Sequence, residues 1–254
     1  MRVYGRTDVG RVRESNQDAF VCGTLSDTTL FAVVCDGMGG ANGGNIASAI
    51  AAKVVAERLV ENYRDNMTLD SIHNILESAI SAANAEIYDT ALEDPTLRGM
   101  GTTMVVAVVC NEQVCVAHVG DSRVYSLTRK DRRITQVTTD HSVVQEMIAS
   151  GKLTPSQAKN HPRKHFITRA LGVEATVECD FTTFPYPENG MLLLCTDGLT
   201  NMVDTDEINI IAYSSGKDEI ADRLIAAANM SGGSDNITVA VILPDSTRKD
   251  GVHG

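Results

Sequence analysis

The sequence predicts one α+β domain, and two kinds of hydrophobic pattern support this prediction. Short apolar runs that are rich in valine and bounded by turn residues are typical of buried β-strands. Such runs occupy residues 31–35, 102–110, 113–120, 191–195 and 237–243. Longer stretches with apolar residues at a helical period predict amphipathic helices over residues 46–60 and 69–92. Because no Pro-, Gly- or Ser-rich linker interrupts the middle of the 254 residues, we expect a single domain over residues 1–244.

The remaining segments complete the predicted order of elements. Asn111 and Glu112 separate two strand patterns and form a signal for a two-residue hairpin turn. Thr154 is placed to cap a short helix in the polar stretch that follows residue 140. Further helices are predicted over residues 143–150, 155–160, 204–213 and 217–230. The last ten residues, 245–254, have the composition of a frayed tail.

Composition and charge exclude several classes of function. The formal net charge of -11 argues against binding to nucleic acid, which depends on Lys and Arg meeting phosphates. No apolar run approaches the ~18 residues that a membrane span needs, and the N-terminus lacks the apolar core of a signal peptide. The six cysteines are scattered without a CxxC pair, as reduced core cysteines are. We therefore expect a cytoplasmic protein that has no disulfides and does not associate with membranes.

The stretch from Phe31 to Gly44, FAVVCDGMGGANGG, is the first candidate site. Its strand pattern ends in Asp36, and the glycines that follow allow the backbone to turn sharply and to approach whatever Asp36 binds. A phosphate-binding GxxxxGK[ST] loop is excluded because no Lys follows Gly44, and a dinucleotide fingerprint lacks its third glycine at Asn42. Taken alone, this stretch is equally compatible with a loop that carries a solvated aspartate.

Three more aspartates repeat the placement of Asp36 beside a strand end and a glycine or small residue. They are Asp121, Asp197 and Asp235. Strand ends that are distant in sequence meet in a packed sheet, and converging carboxylates repel each other unless a hard divalent cation relieves the repulsion. Oxygen ligands favour Mg²⁺ or Mn²⁺, and the absence of a Cys or His cluster in the sequence disfavours zinc. His118, within a strand pattern, is expected to be a core histidine. The competing interpretation is that the four acids are turn residues and helix caps.

Two such ions about 3.5–4 Å apart activate a water and hold a phosphoryl oxygen, which is the chemistry of phosphoester hydrolysis without a covalent enzyme intermediate. No GxSxG nucleophile elbow is present to suggest otherwise. The basic segment at residues 161–165 stands out in an acidic chain. It is either a solvated loop or part of a site for an anionic substrate.

Several ordered motifs resemble those of the metal-dependent type 2C serine/threonine protein phosphatases of bacteria. The matching segments, which span about residues 5–243, are VRESNQD at 12–18, DGMGG at 36–40, GDSR at 120–123, DHS at 140–142, TRALG at 168–172, TDGL at 196–199 and SDNIT at 234–238. The resemblance implies a four-layer αββα sandwich, in which two antiparallel β-sheets are flanked by helices. It also implies a mobile flap at about residues 141–172, where substrate choice is tuned.

The resemblance assigns a role to each candidate ligand. Asp36 would bridge two Mn²⁺ or Mg²⁺ ions, Asp197 and Asp235 would complete the first, and the Gly37 carbonyl would bind the second. Asp18 would bind the second ion through water or support its ligands. Asp121, together with Asp197, would hold a third, weaker ion. By the same resemblance, Arg13 would bind the substrate phosphate, a role suited to its bidentate guanidinium. Without the family resemblance, residues 11–18 are also compatible with a surface loop.

The sequence departs from the family pattern at one position. Bacterial relatives usually have a His directly after the DGMGG run, thought to protonate the leaving oxygen, and this chain has Ala41. General acid catalysis contributes roughly 10²–10⁴-fold, so the departure predicts slower turnover of alkyl phosphates such as phosphoserine. Because every metal-site acid is present, activity is still expected.

The resemblance therefore implies a Mn²⁺- or Mg²⁺-dependent hydrolase of phosphoserine and phosphothreonine that uses a metal-bridging water and opposes a bacterial Ser/Thr kinase. It suggests a monomer whose partners are phosphorylated proteins. Two alternatives stay open at this point. One is a catalytically weak phosphoprotein-binding module, which would have little reason to keep Arg13 and the full set of aspartates. The other is a two-metal hydrolase of small phosphoesters, which would share the chemistry and differ in the flap.

Overall fold

The fold is built from two antiparallel β-sheets. The structure, a computed structural model, describes residues 1–244 except for the side chains of Ala41 and Asn42, so the predicted tail at residues 245–254 lies outside the described residues. In chain order the strands are β1 (Arg2–Asp8), β2 (Asp18–Ser26), β3 (Thr29–Met38), β4 (Gly101–Thr102), β5 (Met104–Cys110), β6 (Gln113–Val119), β7 (Arg123–Thr128), β8 (Arg133–Gln136), β9 (Asp180–Pro185), β10 (Met191–Cys195) and β11 (Ile237–Leu243). Sheet I has the order β1-β11-β10-β7-β8, and sheet II has the order β2-β3-β5-β6-β9 with β4 paired to the end of β3.

Helices cover both outer faces of the paired sheets. In chain order they are α1 (Gly40–Asn62), α2 (Leu69–Glu93), α3 (Val143–Ala149), α4 (Pro155–Ala158), α5 (Asp197–Thr200), α6 (Thr205–Ser214) and α7 (Ile220–Met230). Apolar residues of α1 and α2 pack on sheet II, those of α6 and α7 pack on sheet I, and a third apolar cluster fills the space between the sheets. The four-layer αββα arrangement implied by the resemblance is confirmed. None of the helices within residues 1–244 combines the length and the apolar character that crossing a bilayer requires.

Two local predictions are confirmed in detail. Asn111 and Glu112 have φ values of 48° and 62°, the left-handed conformation that a tight two-residue hairpin turn requires between β5 and β6. Thr154 caps α4: its hydroxyl accepts a hydrogen bond from the Gln157 backbone, and the Gln157 side chain accepts one from the Thr154 backbone.

Two boundaries around the glycine-rich stretch were predicted wrongly. β3 continues past Asp36 to Met38 because its last residues pair with β4, and α1 begins at Gly40 rather than at residue 46. Glycine is a poor helix former, so Gly43 and Gly44 hid the start of the helix. Their packing explains their presence, because a Cβ on Gly44 would come within 2.7 Å of the Gly37 carbonyl carbon. The helix can thus approach the strand end closely. α7 also begins later than predicted, at Ile220 rather than at residue 217.

Candidate active site

The alternation of side chains along β2 and β3 places two aspartates at the mouth of the sandwich. On β3, Ala32 and Val34 point into the space between the sheets, and Asp36 follows them at the same period of two. On β2, Asp18 lies directly opposite Asp36 in the antiparallel ladder. Residues opposite each other in such a ladder point to the same face. Both carboxyl groups are therefore directed into the gap between the sheets, where the apolar core ends.

Sheet I contributes the other side of this gap. Thr196, just after β10, and Thr238, on β11, donate hydroxyl hydrogen bonds of 2.9 and 2.7 Å to Oδ2 of Asp18. The other oxygen of Asp18, Oδ1, is buried and has no hydrogen-bond partner among residues 1–244. A buried carboxylate oxygen without a donor costs free energy unless a cation or water completes it. The orphan oxygen is thus left for a cation or a water to complete.

The four aspartates that the sequence singled out line one cleft. Its volume is about 1130 Å³. The predicted site residues on its walls are Arg13, Asp36, Gly37, Asp121, Asp197 and Asp235. Asp18 lies directly behind them, within the electrostatic reach of Asp197 and Asp235. Every sequence-predicted site residue is therefore in or against the same cleft.

Each aspartate is held by the element next to it. Asp197 is the first residue of α5, and its Oδ2 accepts a hydrogen bond from the Asn201 side chain at 2.8 Å. Asp235 precedes β11, and its Oδ1 accepts from the backbone N–H of Asn236 at 2.9 Å. The backbone N–H of Asp36 donates to the Thr103 hydroxyl at 3.0 Å. These hydrogen bonds restrain Asp197, Asp235 and Asp36, and the carboxylates of Asp197 and Asp235 each keep a second oxygen.

Burial, and then the crowding of acids, raises the pKa values of the cleft aspartates. Burial raises the pKa of Asp18 to about 7; the hydrogen bonds from Thr238 and Thr196 oppose this, and the charges of Asp197 and Asp235 add to it. Burial, followed by the charges of Asp18 and Asp197, holds the pKa of Asp36 well above its ordinary value. Burial and the Asp197 charge raise the pKa of Asp121 to about 8. Such mutual repulsion is what a bound divalent cation removes.

The donor set fits Mn²⁺ or Mg²⁺. The cleft carboxylates offer oxygen atoms, and one buried oxygen of Asp18 has no hydrogen-bond donor. Among residues 1–244, His165 is the one histidine that lines the cleft, and no cysteine does. Hard cations that take oxygen ligands match this chemistry, whereas zinc prefers nitrogen and sulfur. Gly37 lines the same cleft.

Arg13 is positioned by the same loop that carries Asp235. The Asn236 side chain accepts a hydrogen bond from the Gln17 backbone and donates to the carbonyls of Val9 and Ser15, which ties residues 9–17 to the start of β11. The Arg13 guanidinium then lies 2.8 Å from Oδ2 of Asp235 with 55% of its side chain exposed. Its cation is thus at the cleft mouth, within reach of an anion that approaches the aspartates.

The predicted basic segment is divided between solvent and the cleft. His165 lines the cleft and its charge acts on Asp197, whereas Arg163 and Lys164 are not among the lining residues. Ile167, two residues on, also lies on the cleft wall. The segment that leads back from α4 therefore forms one side of the site.

The sequence did not predict a second cluster, formed by His118, His141 and Asp180. Their ligand atoms lie within 4.8 Å of one another, so the expectation that no histidine cluster exists was wrong. His118 is nevertheless the buried core histidine that was predicted. Nδ1 of His141 accepts the Gly120 N–H, which leaves the proton on Nε2, 3.3 Å from Asp180 Oδ2. Arg169 already neutralises Asp180 at 2.8 Å, so the cluster is an ion-pair network rather than an open cation site.

This network connects the two ends of the segment between His141 and Arg169. The His141 backbone carbonyl accepts the Thr168 N–H at 2.8 Å, and Ser142 forms an isolated bridge with Ile167. The cluster was not predictable from spacing, since its three members come from β6, β9 and one loop. The one available signal was DHS at residues 140–142, which was noted only as a motif.

Comparison with known proteins identifies the family. Residues 10–231 match the protein phosphatase 2C family. The chain belongs to this family. It is 41% identical over 250 residues to a protein of Listeria monocytogenes named serine/threonine phosphatase stp, with 98% of each chain covered. The crystal structure of serine/threonine phosphatase Stp1 from Staphylococcus aureus superimposes with a TM-score of 0.88 at 32% identity, over 96% of this chain and 94% of that one.

A further solved structure bears on the cofactor. The catalytic domain of the serine/threonine protein phosphatase PstP, in complex with two manganese ions, matches with a TM-score of 0.81 at 32% identity, covering 94% of this chain and 96% of that one. The family, the sandwich fold, the activity of a metal-dependent protein phosphatase and the use of Mn²⁺ or Mg²⁺ are thus confirmed. The roles of individual residues stay predictions.

Proposed function

We propose that this protein hydrolyses phosphoserine and phosphothreonine in other proteins, with Mn²⁺ or Mg²⁺ as its cofactor. The observation that supports this most directly is the convergence of five aspartates and one exposed arginine in and around a single cleft. When bound, the ions supply an activated water and Lewis-acid stabilisation of the phosphoryl oxygens. The residues of the chain bind the ions, orient the phosphate and shape access to the cleft.

The ligand roles follow the family resemblance. Besides burial, the charges of Asp18, Asp197, Asp121 and Asp235 all raise the pKa of Asp36, which suits a residue that would hold both ions. Asp197 and Asp235 would complete the site of the first ion. The Gly37 carbonyl would bind the second.

Two further aspartates have less direct roles. Asp18 supports the second ion through water, a role consistent with its position behind the cleft and its orphan oxygen. Burial and then the charge of Asp197 raise the pKa of Asp121, and these two residues would hold the third, weaker ion.

Arg13 binds the phosphate of the substrate. It holds one carboxylate oxygen of Asp235 with a single nitrogen, and the exposed remainder of its guanidinium fork is available to a phosphate. Guanidinium groups pair with phosphate in a bidentate manner, which fixes the phosphorus as well as adding binding free energy. The link to Asp235 keeps the arginine beside the proposed ions.

The wider context follows from the same proposal. Residues 1–244 form one catalytic domain in which residues 141–172 act as the flap. The protein works in the cytoplasm as a monomer and opposes a Ser/Thr kinase that phosphorylates the same proteins. It does not act on nucleic acid or on a membrane surface, in keeping with the net charge of -11.

The test is phosphate release from a phosphothreonine peptide. We expect release with Mn²⁺, none with chelator, and a loss of activity in Asp36→Asn. Arg13→Ala should raise KM for the peptide and lower kcat/KM by about 10- to 100-fold. A loss of this size corresponds to the free energy of hydrogen bonds to a charged group. The matched control is Asp206→Asn on α6, an exposed acid outside the cleft, which should behave like the parent.

Two outcomes would replace the proposal. If Mn²⁺ raises the melting temperature but the parent releases no phosphate from peptide or from an aryl phosphate, the phosphoprotein-binding module becomes the better account. If the parent hydrolyses an aryl phosphate but no phosphopeptide, a hydrolase of small phosphoesters is favoured.

A further inference from the structure

A second groove opens directly beside the active-site cleft. Its volume is about 280 Å³, smaller than the ~300–1,000 Å³ of small-molecule sites and suited to a single side chain. Met38 and Ile167 line both the cleft and the groove. The groove is therefore within reach of a residue that neighbours the phosphorylated residue of a peptide bound in the cleft. We refer to this feature as the side groove.

A glycine lies behind two apolar residues of the side groove, Met38 and Val173. Gly101 of β4 pairs with Met38 at the end of β3. A Cβ built on Gly101 would lie 2.8 Å from Cγ2 of Val173 and 3.0 Å from Cε of Met38. The two apolar walls therefore come together over a position that has no side chain. Val177 adds a third apolar surface.

The wall that carries Val173 is held in place by α2. Oδ1 of Asn84 accepts the Gly172 N–H at 2.8 Å, and its Nδ2 donates to the carbonyls of Glu174 and Ala175 at 3.0 and 3.1 Å. The Leu171 backbone pairs with Thr102 of β4. Four hydrogen-bonded backbone positions make this wall preformed, so a ligand would not have to order it. Asn84 is thus a buried structural residue that fixes the backbone of this wall.

Charge at the rim selects the kind of side chain that fits. Glu174 and Glu178 are exposed on the rim, while Arg169 is the only basic residue of the groove lining within residues 1–244. The Arg169 guanidinium is already matched by Asp180 at 2.8 Å and by Glu178 at 3.2 Å. The rim therefore has an excess of negative charge. Lys and Arg side chains combine an apolar stem with a terminal cation, which matches apolar walls below an acidic rim.

We propose that the side groove binds a lysine or arginine side chain close to the phosphorylated residue of the protein substrate. The stem lies along the apolar surface formed by Met38, Val173 and Val177, and the cation meets Glu174 and Glu178. This inference rests on the proposed function, because it assigns a substrate preference to the same active site. It makes the groove a selector of basic sequence context around phosphoserine and phosphothreonine.

The test compares matched phosphothreonine peptides. Lysine, norleucine or alanine is placed at each position on either side of phosphothreonine in an otherwise neutral peptide, and kcat/KM is measured with Mn²⁺. At one position or more, we expect kcat/KM to be about three- to tenfold higher for the lysine peptide than for the alanine peptide, with the norleucine peptide between them. Such a difference is what two partly exposed ion pairs and an apolar contact would contribute together. The lysine advantage over norleucine should shrink at high salt.

Variants separate the groove from general effects of charge. In E174Q/E178Q the ratio of kcat/KM for the lysine peptide to kcat/KM for the norleucine peptide should fall to about one. Glu174→Gln alone should lower it partially without removing the partner of Arg169. The matched control E57Q/E61Q neutralises two exposed acids on α1 and should keep the ratio of the parent. Norleucine in place of lysine distinguishes the contribution of the cation from that of the stem.

The results distinguish failure of the inference from failure of the proposed function. Equal kcat/KM for lysine, norleucine and alanine at every position would overturn the role of the groove and leave the phosphatase proposal intact. A lysine preference that survives in E174Q/E178Q would overturn it as well. If no phosphopeptide is hydrolysed although an aryl phosphate is, both the proposed function and the role of the groove are wrong.

Discussion

Asp18 and Asp36 lie directly opposite each other on neighbouring antiparallel strands, and both face the gap between the two sheets. Residues in such a pair have Cβ atoms about 4.5–5.5 Å apart, close enough for two ionised carboxylates to repel strongly in a partly buried site. Like charges directly opposite each other destabilise a ladder. The arrangement is therefore favourable only when a cation binds between the acids or when they retain protons.

Manganese should therefore stabilise the fold. At a Mn²⁺ concentration about 100 times the dissociation constant, mass action adds about 2.7 kcal/mol, which corresponds to a rise in melting temperature of about 5–10 °C for a chain of this size. Thermal unfolding with and without Mn²⁺ measures this. Asp36→Asn should lose most of the shift, and Asp206→Asn should keep it. A melting curve that millimolar Mn²⁺ leaves unchanged would contradict the metal centre.

The metal-free protein should lose stability as the pH rises. In the unfolded chain an aspartate releases its proton near its ordinary pKa of 3.8, while in the folded protein Asp18 retains it up to about pH 7. Between these values the folded state binds more protons than the unfolded state, so the free energy of unfolding decreases with increasing pH. Asp36 and Asp121, whose pKa values are also raised, contribute in the same direction.

The measurement for the pH effect is urea unfolding in chelator at several pH values between about 5 and about 8. We expect a falling free energy of unfolding across this range and a shallower slope in Asp18→Asn. Added Mn²⁺ should reverse the slope, since it binds the deprotonated carboxylates. Stability that rises with pH in the metal-free parent would show that these carboxyl groups ionise as ordinary aspartates do.

Gly37 should tolerate no side chain. A Cβ at this position would overlap the backbone carbonyl oxygens of Gly44 and Gln17, which cannot move aside as a flexible side chain can. We expect Gly37→Ala to lower the free energy of unfolding by more than about 2 kcal/mol and to weaken Mn²⁺ binding. Gly216→Ala is the matched control, because its Cβ would meet only the Glu219 side chain at ordinary contact distances of 3.5 Å or more.

Urea unfolding and a Mn²⁺ titration of activity compare the two glycine variants. Gly216→Ala should stay within about 1 kcal/mol of the parent, in the stabilising direction expected when an unstrained glycine is replaced. Equal effects of the two substitutions would mean that the close approach of α1 to the end of β3 is not needed for the site.

Local chemistry explains which parts of this structure the sequence could predict. The turn at Asn111 and Glu112 could be predicted because a two-residue hairpin needs left-handed residues at fixed positions. The helix cap at Thr154 could be predicted because its hydrogen bonds are local. The aspartates beside strand ends predicted a common site since strand ends meet in a packed sheet. Their individual roles required the family resemblance.

The remaining features depend on contacts between distant segments. β2 is half-buried along its length, so no alternation in the sequence indicated that Asp18 faces Asp36. The start of α1 was hidden by glycines whose helical conformation is stabilised by packing against β3. The network of His118, His141 and Asp180 depends on β9 lying beside β6, with Asp180 opposite His118, a pairing that no local pattern encodes.

The residue at position 41 should set how the enzyme discriminates between leaving groups. Gly40 lines the cleft, and Ala41 follows it where bacterial relatives usually have a histidine; the Ala41 side chain lies outside the described residues. An alanine cannot donate a proton, so position 41 does not supply the alkoxide of phosphoserine with the general acid catalysis that contributes roughly 10²–10⁴-fold. Aryl phosphates have better leaving groups and depend less on such a proton.

Ala41→His should therefore raise the ratio of phosphoserine-peptide to aryl-phosphate turnover. The ratio is obtained from steady-state kcat values for both substrates at saturating Mn²⁺. The ratio in Ala41→His should rise only at the neutral to acidic pH values at which an imidazole is protonated. Ala41→Asn serves as the control, because its amide is polar but does not titrate. If the ratio is the same in the parent, Ala41→His and Ala41→Asn, the leaving oxygen receives its proton from water or from another group, and the alanine has no cost for catalysis.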